Sequence, residues 1–111
     1  MSAKYLLHPA GDEKFHWDLK AGNSETILSS QMYTAKQGAE TGIESCRNNS
    51  GDEVRYTRLT STDAKPYFVL KAGNGEIIGS SEMYESAAAM ENGIESVKTN
   101  APGAEIAETA G

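Results

Sequence analysis

Few residues in this 111-residue chain have the chemistry for catalysis or ligand binding. Cys46 could act as a nucleophile if its thiol were exposed and its pKa lowered. Its position in a helical apolar pattern, where a second copy of the same pattern carries Val97, instead points to a small buried hydrophobe. His8 and His16 could ligate a metal or serve as general bases. They do not recur in the second copy, where Leu59 and Tyr67 stand, and no HxxxH, HExxH or CxxC spacing accompanies them, so no metal and no cofactor is expected. "SSQMY" and "SSEMY" place Ser29, Ser30, Ser80 and Ser81 just ahead of two helical segments, where unpaired amides favour an anion. The plainer role for these hydroxyls is to satisfy strand-end and cap hydrogen bonds. Tyr33 and Tyr84 read as apolar staples at the helix starts. "GNGEIIG" lacks the strand-to-helix setting of a phosphate-binding loop and reads as a hairpin turn.

These residues lie on a framework written twice. "LKAGNSETILSSQMY" (19–33) returns as "LKAGNGEIIGSSEMY" (70–84), and at this offset of 51 no gap is needed from Lys4 to Asn49. Of the 33 pairs from Trp17 to Asn49, 17 are identical. Two copies of about fifty residues are too few for an open solenoid, which needs about three or more units, so they should complete one another's core with pseudo-two-fold symmetry.

Within each copy, "KYLLH" (4–8) and "VRYTRL" (54–59) read as a first strand. A second strand alternates, with Phe15, Trp17 and Leu19 on one side and His16, Asp18 and Lys20 on the other. A third strand follows, around 25–29 and 76–80. The Asn-Gly dipeptide alone suggests a two-residue turn. A three-residue loop, Gly73-Asn74-Gly75, is preferred because it puts Leu70 and Ile78 on the same core face. Ser24 replaces the second glycine in copy one, which predicts strain there if φ is positive.

Each copy then becomes helical. Thr34-Ala-Lys-Gln37 fits a capping box, Ser86 can cap the second helix, and Gly38, Ala39, Gly42, Ile43 and Cys46 line an apolar face matched by Ala89, Met90, Gly93, Ile94 and Val97. Mid-helix Gly42 and Gly93 imply close helix–sheet contact at those points. The expected fold is α+β: a tandem β-β-β-α repeat forming one six-stranded, mostly antiparallel sheet with two helices on one face. The whole reads as a single domain (1–111) of two repeats, about 1–51 and 52–104, with a short tail to 111.

The alternation leaves the two halves of the other sheet face unlike. Copy one offers His16, Asp18, Lys20 and Thr26; copy two offers Tyr67, Val69, Lys71 and Ile77, an apolar strip rimmed by lysine that suggests a contact surface.

"LKAGNGEIIGSSEMY" followed by "NGIESVKTNAPGAEI" resembles the YegP-like family of small bacterial proteins, whose repeats run from an F-x-L strand through N-G and I-x-x-S to a helix ending in G-I-x-S-V-K. The resemblance covers nearly the whole chain, in two copies. It implies the duplicated fold and a family without an established biochemical function, and brings no catalytic residues. Copy one departs from the pattern at Ser24, Thr26 and Cys46.

The formal net charge of -6 disfavours a sequence-blind grip on nucleic acid, which needs clustered cations. No apolar run approaches the roughly 18 residues of a membrane span, and the first residues lack a signal-peptide layout, so the expected location is the cytoplasm. A lone cysteine agrees with that compartment. A monomer is expected, since one chain supplies both halves of the core. The function expected from these residues is a non-enzymatic module that binds a protein or peptide through the open sheet face or an edge strand. The alternative is an enzyme or small-anion binder at the cleft between the repeats or at the helix N-termini.

Overall fold

The computed structural model describes residues 2–109. Copy one supplies strands β1 (Lys4–Pro9), β2 (Phe15–Lys20) and β3 (Thr26–Ser30) and helix α1 (Lys36–Asn49); copy two supplies β4 (Tyr56–Thr60), β5 (Pro66–Lys71), β6 (Ile77–Ser80) and α2 (Ala87–Asn100). A further strand, β7 (Glu105–Glu108), follows α2. The sheet runs β4-β5-β6-β3-β2-β1-β7. It therefore has seven strands rather than six. It is also mixed, because β7 lies parallel to β1 while the other pairs are antiparallel. Residues 105–108 of the segment read as a tail thus complete one sheet edge, and its last two positions, 110–111, lie outside the described residues. Glu and Ala are weak strand formers, so this four-residue element is held by pairing with a strand about a hundred positions earlier, not by local preference.

The two copies meet at β3 and β6. Ser29 lies opposite Ser80, its own repeat equivalent, so the pseudo-two-fold axis passes between them. Next to that axis the copies differ: Leu28 is fully buried, and its equivalent is Gly79. A Cβ on Gly79 would lie 2.7 Å from the Ser29 carbonyl oxygen and 3.0 Å from Leu28 Cγ. One leucine fills the space that two cannot share.

The hairpins joining the second and third strands close as three-residue loops. The Ala72 N–H donates to Glu76 O at 2.8 Å, and the Ala21 N–H to Glu25 O at 2.9 Å. The final loop residue is left-handed in both, Gly75 at φ 87° and Ser24 at φ 72°, so the strain expected at Ser24 is present. A bulge follows each loop. Lys20 pairs with Thr26 but Leu19 with Leu28, and Lys71 pairs with Ile77 but Leu70 with Gly79. The extra residues, Ile27 and Ile78, turn into the core alongside their neighbours.

Both helices pack on the same sheet face, and each spans the seam: α1 lies over β2 and also over β5 and β6, α2 over β5 and also over β3. Tyr5 donates its hydroxyl to Ala101 O at 2.7 Å, and its equivalent Tyr56 donates to Ser50 O at 2.6 Å. Each first strand thereby satisfies the carbonyl at the end of the other copy's helix. Tyr5 and Tyr56 pack edge-on against Trp17 and Phe68. Mid-helix glycine is required by tyrosine rather than by the sheet backbone. A Cβ on Gly42 or Gly93 would lie 2.2 Å from the hydroxyl oxygen of Tyr33 or Tyr84. Helix capping is asymmetric. Ser86 accepts from the Ala89 N–H at 3.1 Å, but the matching residue in copy one is Ala35, which has no side-chain acceptor, so the capping box expected at Thr34 does not form.

The seam yields a sharp test. Glycine inside a strand ordinarily costs about 0.5–1 kcal/mol relative to alanine, so Gly79→Ala should stabilise an unconstrained strand. Here the new methyl group would meet backbone, and a loss of about 1–3 kcal/mol is expected. Chemical denaturation measures it; an unchanged or raised midpoint would show that the seam is not tightly closed.

Candidate functional site

The face away from the helices is the candidate site, and strand register decides what it presents. One row of opposed residues crosses the whole sheet: Ala107, Leu6, Asp18, Ser29, Ser80, Val69 and Thr57. Ser29 and Ser80 reach this row because the bulges shift the phase of β3 and β6 by one residue; unbroken alternation would have turned them inward.

In copy one the row is polar and connected. Ser29 donates its hydroxyl to Asp18 Oδ1 at 2.6 Å, and His8 Nε2 lies 2.9 Å from Asp18 Oδ2. His8 pairs across β1 and β2 with His16, and the two imidazoles stack with centroids 4.4 Å apart and planes 29° apart. Lys20 donates to Thr26 Oγ1 at 2.6 Å. The Ser29, Asp18, His8 order is not a nucleophile relay, which needs the imidazole between hydroxyl and carboxylate. Here the carboxylate sits in the middle and accepts on both sides.

Copy two presents no continuous apolar strip. Ile77 is 42% exposed and Tyr67 and Lys71 are half-buried, but Val69 is only 5% exposed. The expectation that Val69 is exposed is corrected. It lies in an interior strand, opposite Thr57 and Ser80, and is flanked on its own strand and face by Tyr67 and Lys71, so neighbours surround a short side chain on four sides. The serines also separate. Ser30 accepts from the Trp17 N–H at 2.8 Å and donates to Gln31 O, while Ser81 accepts from the Phe68 N–H at 3.0 Å and donates to Glu82 O. Both hydroxyls tie strand ends together, and the helices begin six residues further on, at Lys36 and Ala87. Ser29 and Ser80 sit at the seam.

The repeats leave two small equivalent clefts. One, of about 210 Å³, lies between Tyr33 on the α1 side and Ile78 of the opposite hairpin; the other, of about 240 Å³, lies between Tyr84 on the α2 side and Ile27. A larger hollow, about 430 Å³, has no equivalent in copy two because β7 forms one wall: Lys4, Leu6 and Lys20 face Glu105, Ile106 and Ala107. Sequence reasoning missed this hollow together with β7. It also did not bring His8 to His16. The signal was present in the first hairpin, since pairing Pro9 with Phe15 across its turn forces His8 opposite His16 and Leu6 opposite Asp18.

Cys46 is fully buried in the core, and burial pushes its thiol up to about 12. Thiol reagents should label it slowly in the native protein and rapidly in denaturant; rapid native labelling would show an accessible thiolate.

Comparison with known proteins agrees with this architecture. The sequence profile of the family described as "Domain of unknown function (DUF1508)" matches residues 10–56 and again 61–108. A UPF0339 protein of Bordetella pertussis is 50% identical over 104 residues, covering 94% of this chain and 93% of that protein. The UPF0339 protein YegP of Escherichia coli is 51% identical over 100 residues, covering 90% and 91%. The solution NMR structure of E. coli YegP, described as a protein of unknown function, superposes with a TM-score of 0.92 at 47% identity, covering 98% of this chain and 94% of that one. A UPF0339 protein of Shewanella oneidensis, also solved by NMR, superposes with a TM-score of 0.91 at 48% identity over 97% and 92%.

Proposed function

The chain belongs to the DUF1508 family, whose domain it carries twice, and from that premise we propose that it is a non-enzymatic binding module that takes up an extended peptide segment of a partner protein along β4. One observation carries the reading. β1 and β4 are repeat equivalents at opposite ends of the six duplicated strands, and β1 already has a strand added in parallel, the chain's own β7, whereas β4 ends the sheet. An end strand turns alternate N–H and C=O groups outward, and adding a strand to such an edge is a common mode of peptide recognition.

The edge is also held in place for binding. Arg58 of β4 donates from Nε and Nη2 to the Glu91 carboxylate of α2 at 2.5 and 2.8 Å and lies 2.7 Å from Glu53. These contacts fix the helix side of the strand, and the bidentate geometry orients it better than a single contact would. On the open side Leu59 is 38% exposed, with Val54 exposed just before the strand, giving an incoming peptide apolar surface beside the backbone ladder. The net charge of -6 leaves nucleic acid disfavoured as a partner. Among the described residues no helix is long and apolar enough to cross a membrane. A second reading, small-anion binding, finds two cations, Lys4 and Lys20, in the hollow beside β7, but Glu105, opposite Lys4, lines the same hollow and works against it.

The test is an NMR titration of the full chain with a synthetic peptide of the β7 sequence, residues 104–109. The β4 amides, Tyr56–Thr60, should shift progressively, and the same peptide N-methylated at alternate amides should leave them unmoved, because it cannot form the ladder. Shifts absent from β4, or equal with the methylated peptide, would overturn the reading. A concentration-dependent dimer through β4 in sedimentation, in place of the expected monomer, would also overturn it by making a second copy the occupant.

A further inference from the structure

We infer that His8, His16 and Asp18 form a binding site for a divalent first-row transition ion of the Zn²⁺ type on the open face of copy one. One nitrogen from each imidazole and one carboxylate oxygen lie within 4.8 Å of one another. Tetrahedral coordination with ligand bonds of about 2.0–2.2 Å would bring such atoms to roughly 3.4 Å apart. The closure needed is at most about 1.4 Å, within reach of side-chain rotation by three half-buried residues whose backbones are fixed in one β-ladder.

The donor set selects the class of ion. Two imidazoles and one carboxylate suit Zn²⁺, Cu²⁺ or Ni²⁺, whereas Mg²⁺ and Ca²⁺ favour oxygen-only shells. The carboxylate is already oriented, since Ser29 holds Asp18 Oδ1 at 2.6 Å and leaves Oδ2 turned to His8. A hydrogen-bonded second oxygen is a regular feature of metal-ligating carboxylates. The ion takes the place of the hydrogen shared by His8 Nε2 and Asp18 Oδ2, which passes to solvent. Lys20, the cation two residues beyond Asp18, is turned to Thr26. Three protein ligands leave further coordination positions for water or another ligand on the open face.

The duplicated fold sharpens the inference. The equivalents of His8, His16 and Asp18 are Leu59, Tyr67 and Val69, so copy two lacks all three donors and the chain should bind one ion rather than two. The site lies in the other copy from β4 and is independent of peptide uptake there.

Calorimetric titration of the full chain with Zn²⁺ in a non-coordinating buffer should give one ion per chain. His8→Ala and His16→Ala should each weaken binding at least tenfold, and Ser29→Ala about tenfold, the lower end for loss of a supporting hydrogen bond. In the unsubstituted protein the imidazole ¹⁵N resonances of His8 and His16 should both move with Zn²⁺ and stay unmoved with Mg²⁺, a readout that does not depend on any variant folding. Absence of Zn²⁺ binding, affinity undiminished in the histidine variants, or unmoved imidazole resonances would each overturn the assignment.

Discussion

The antiparallel seam between β3 and β6 is the contact on which the rest of the structure depends. Ser29 meets Ser80 there, and the axis relating the copies passes between them. A contact at such an axis must be self-complementary, and a large side chain on both sides would collide with its own equivalent. The chain resolves this by keeping buried Leu28 on one side and placing Gly79 at the equivalent position on the other. Once the third strands join, the first strands must lie at the two ends of the duplicated sheet, each helix spans the seam, and Tyr5 and Tyr56 reach the far copy's helix end. Neither copy closes its core alone.

Repeated residues build this frame; the residues available for function are those that do not repeat. Leu19 and Leu70, Ile43 and Ile94, and Gly42 and Gly93 recur because both copies need the same packing. On the open face the equivalents diverge: His8 and Leu59, His16 and Tyr67, Asp18 and Val69. Relieved of a packing role, that face in copy one gathers hydrogen-bonded polar groups. The sheet edges diverge as well, since only β1 is covered by β7.

Much of the frame was legible in the sequence because it follows from local rules applied twice. The constant offset exposes the duplication, Ser24 against Gly75 marks the left-handed loop position, and Cys46 against Val97 marks a core site. Other features depend on non-local pairing. β7 is too short and too rich in Glu and Ala to announce itself, and it exists through contact with β1. The bulges at Ile27 and Ile78 break the alternation and move Ser29 and Ser80 from the expected helix-end setting to the seam. Val69 looked exposed because alternation reports the face of a sheet, not how closely neighbouring strands cover it. Ala35 at the helix start removes the acceptor that Ser86 provides in copy two, which the Thr34-x-x-Gln37 spacing, beginning one residue too early, concealed.

The claim that of two equivalent edges one is covered by an added strand and the other is open is tested most directly by residue-resolved amide hydrogen exchange on the full chain. The account predicts that alternate amides of β4 exchange as solvent-exposed groups while their equivalents in β1 are protected by β7. Uniform protection along β4, equal to that of β1, would mean that this edge is already satisfied and would contradict the account.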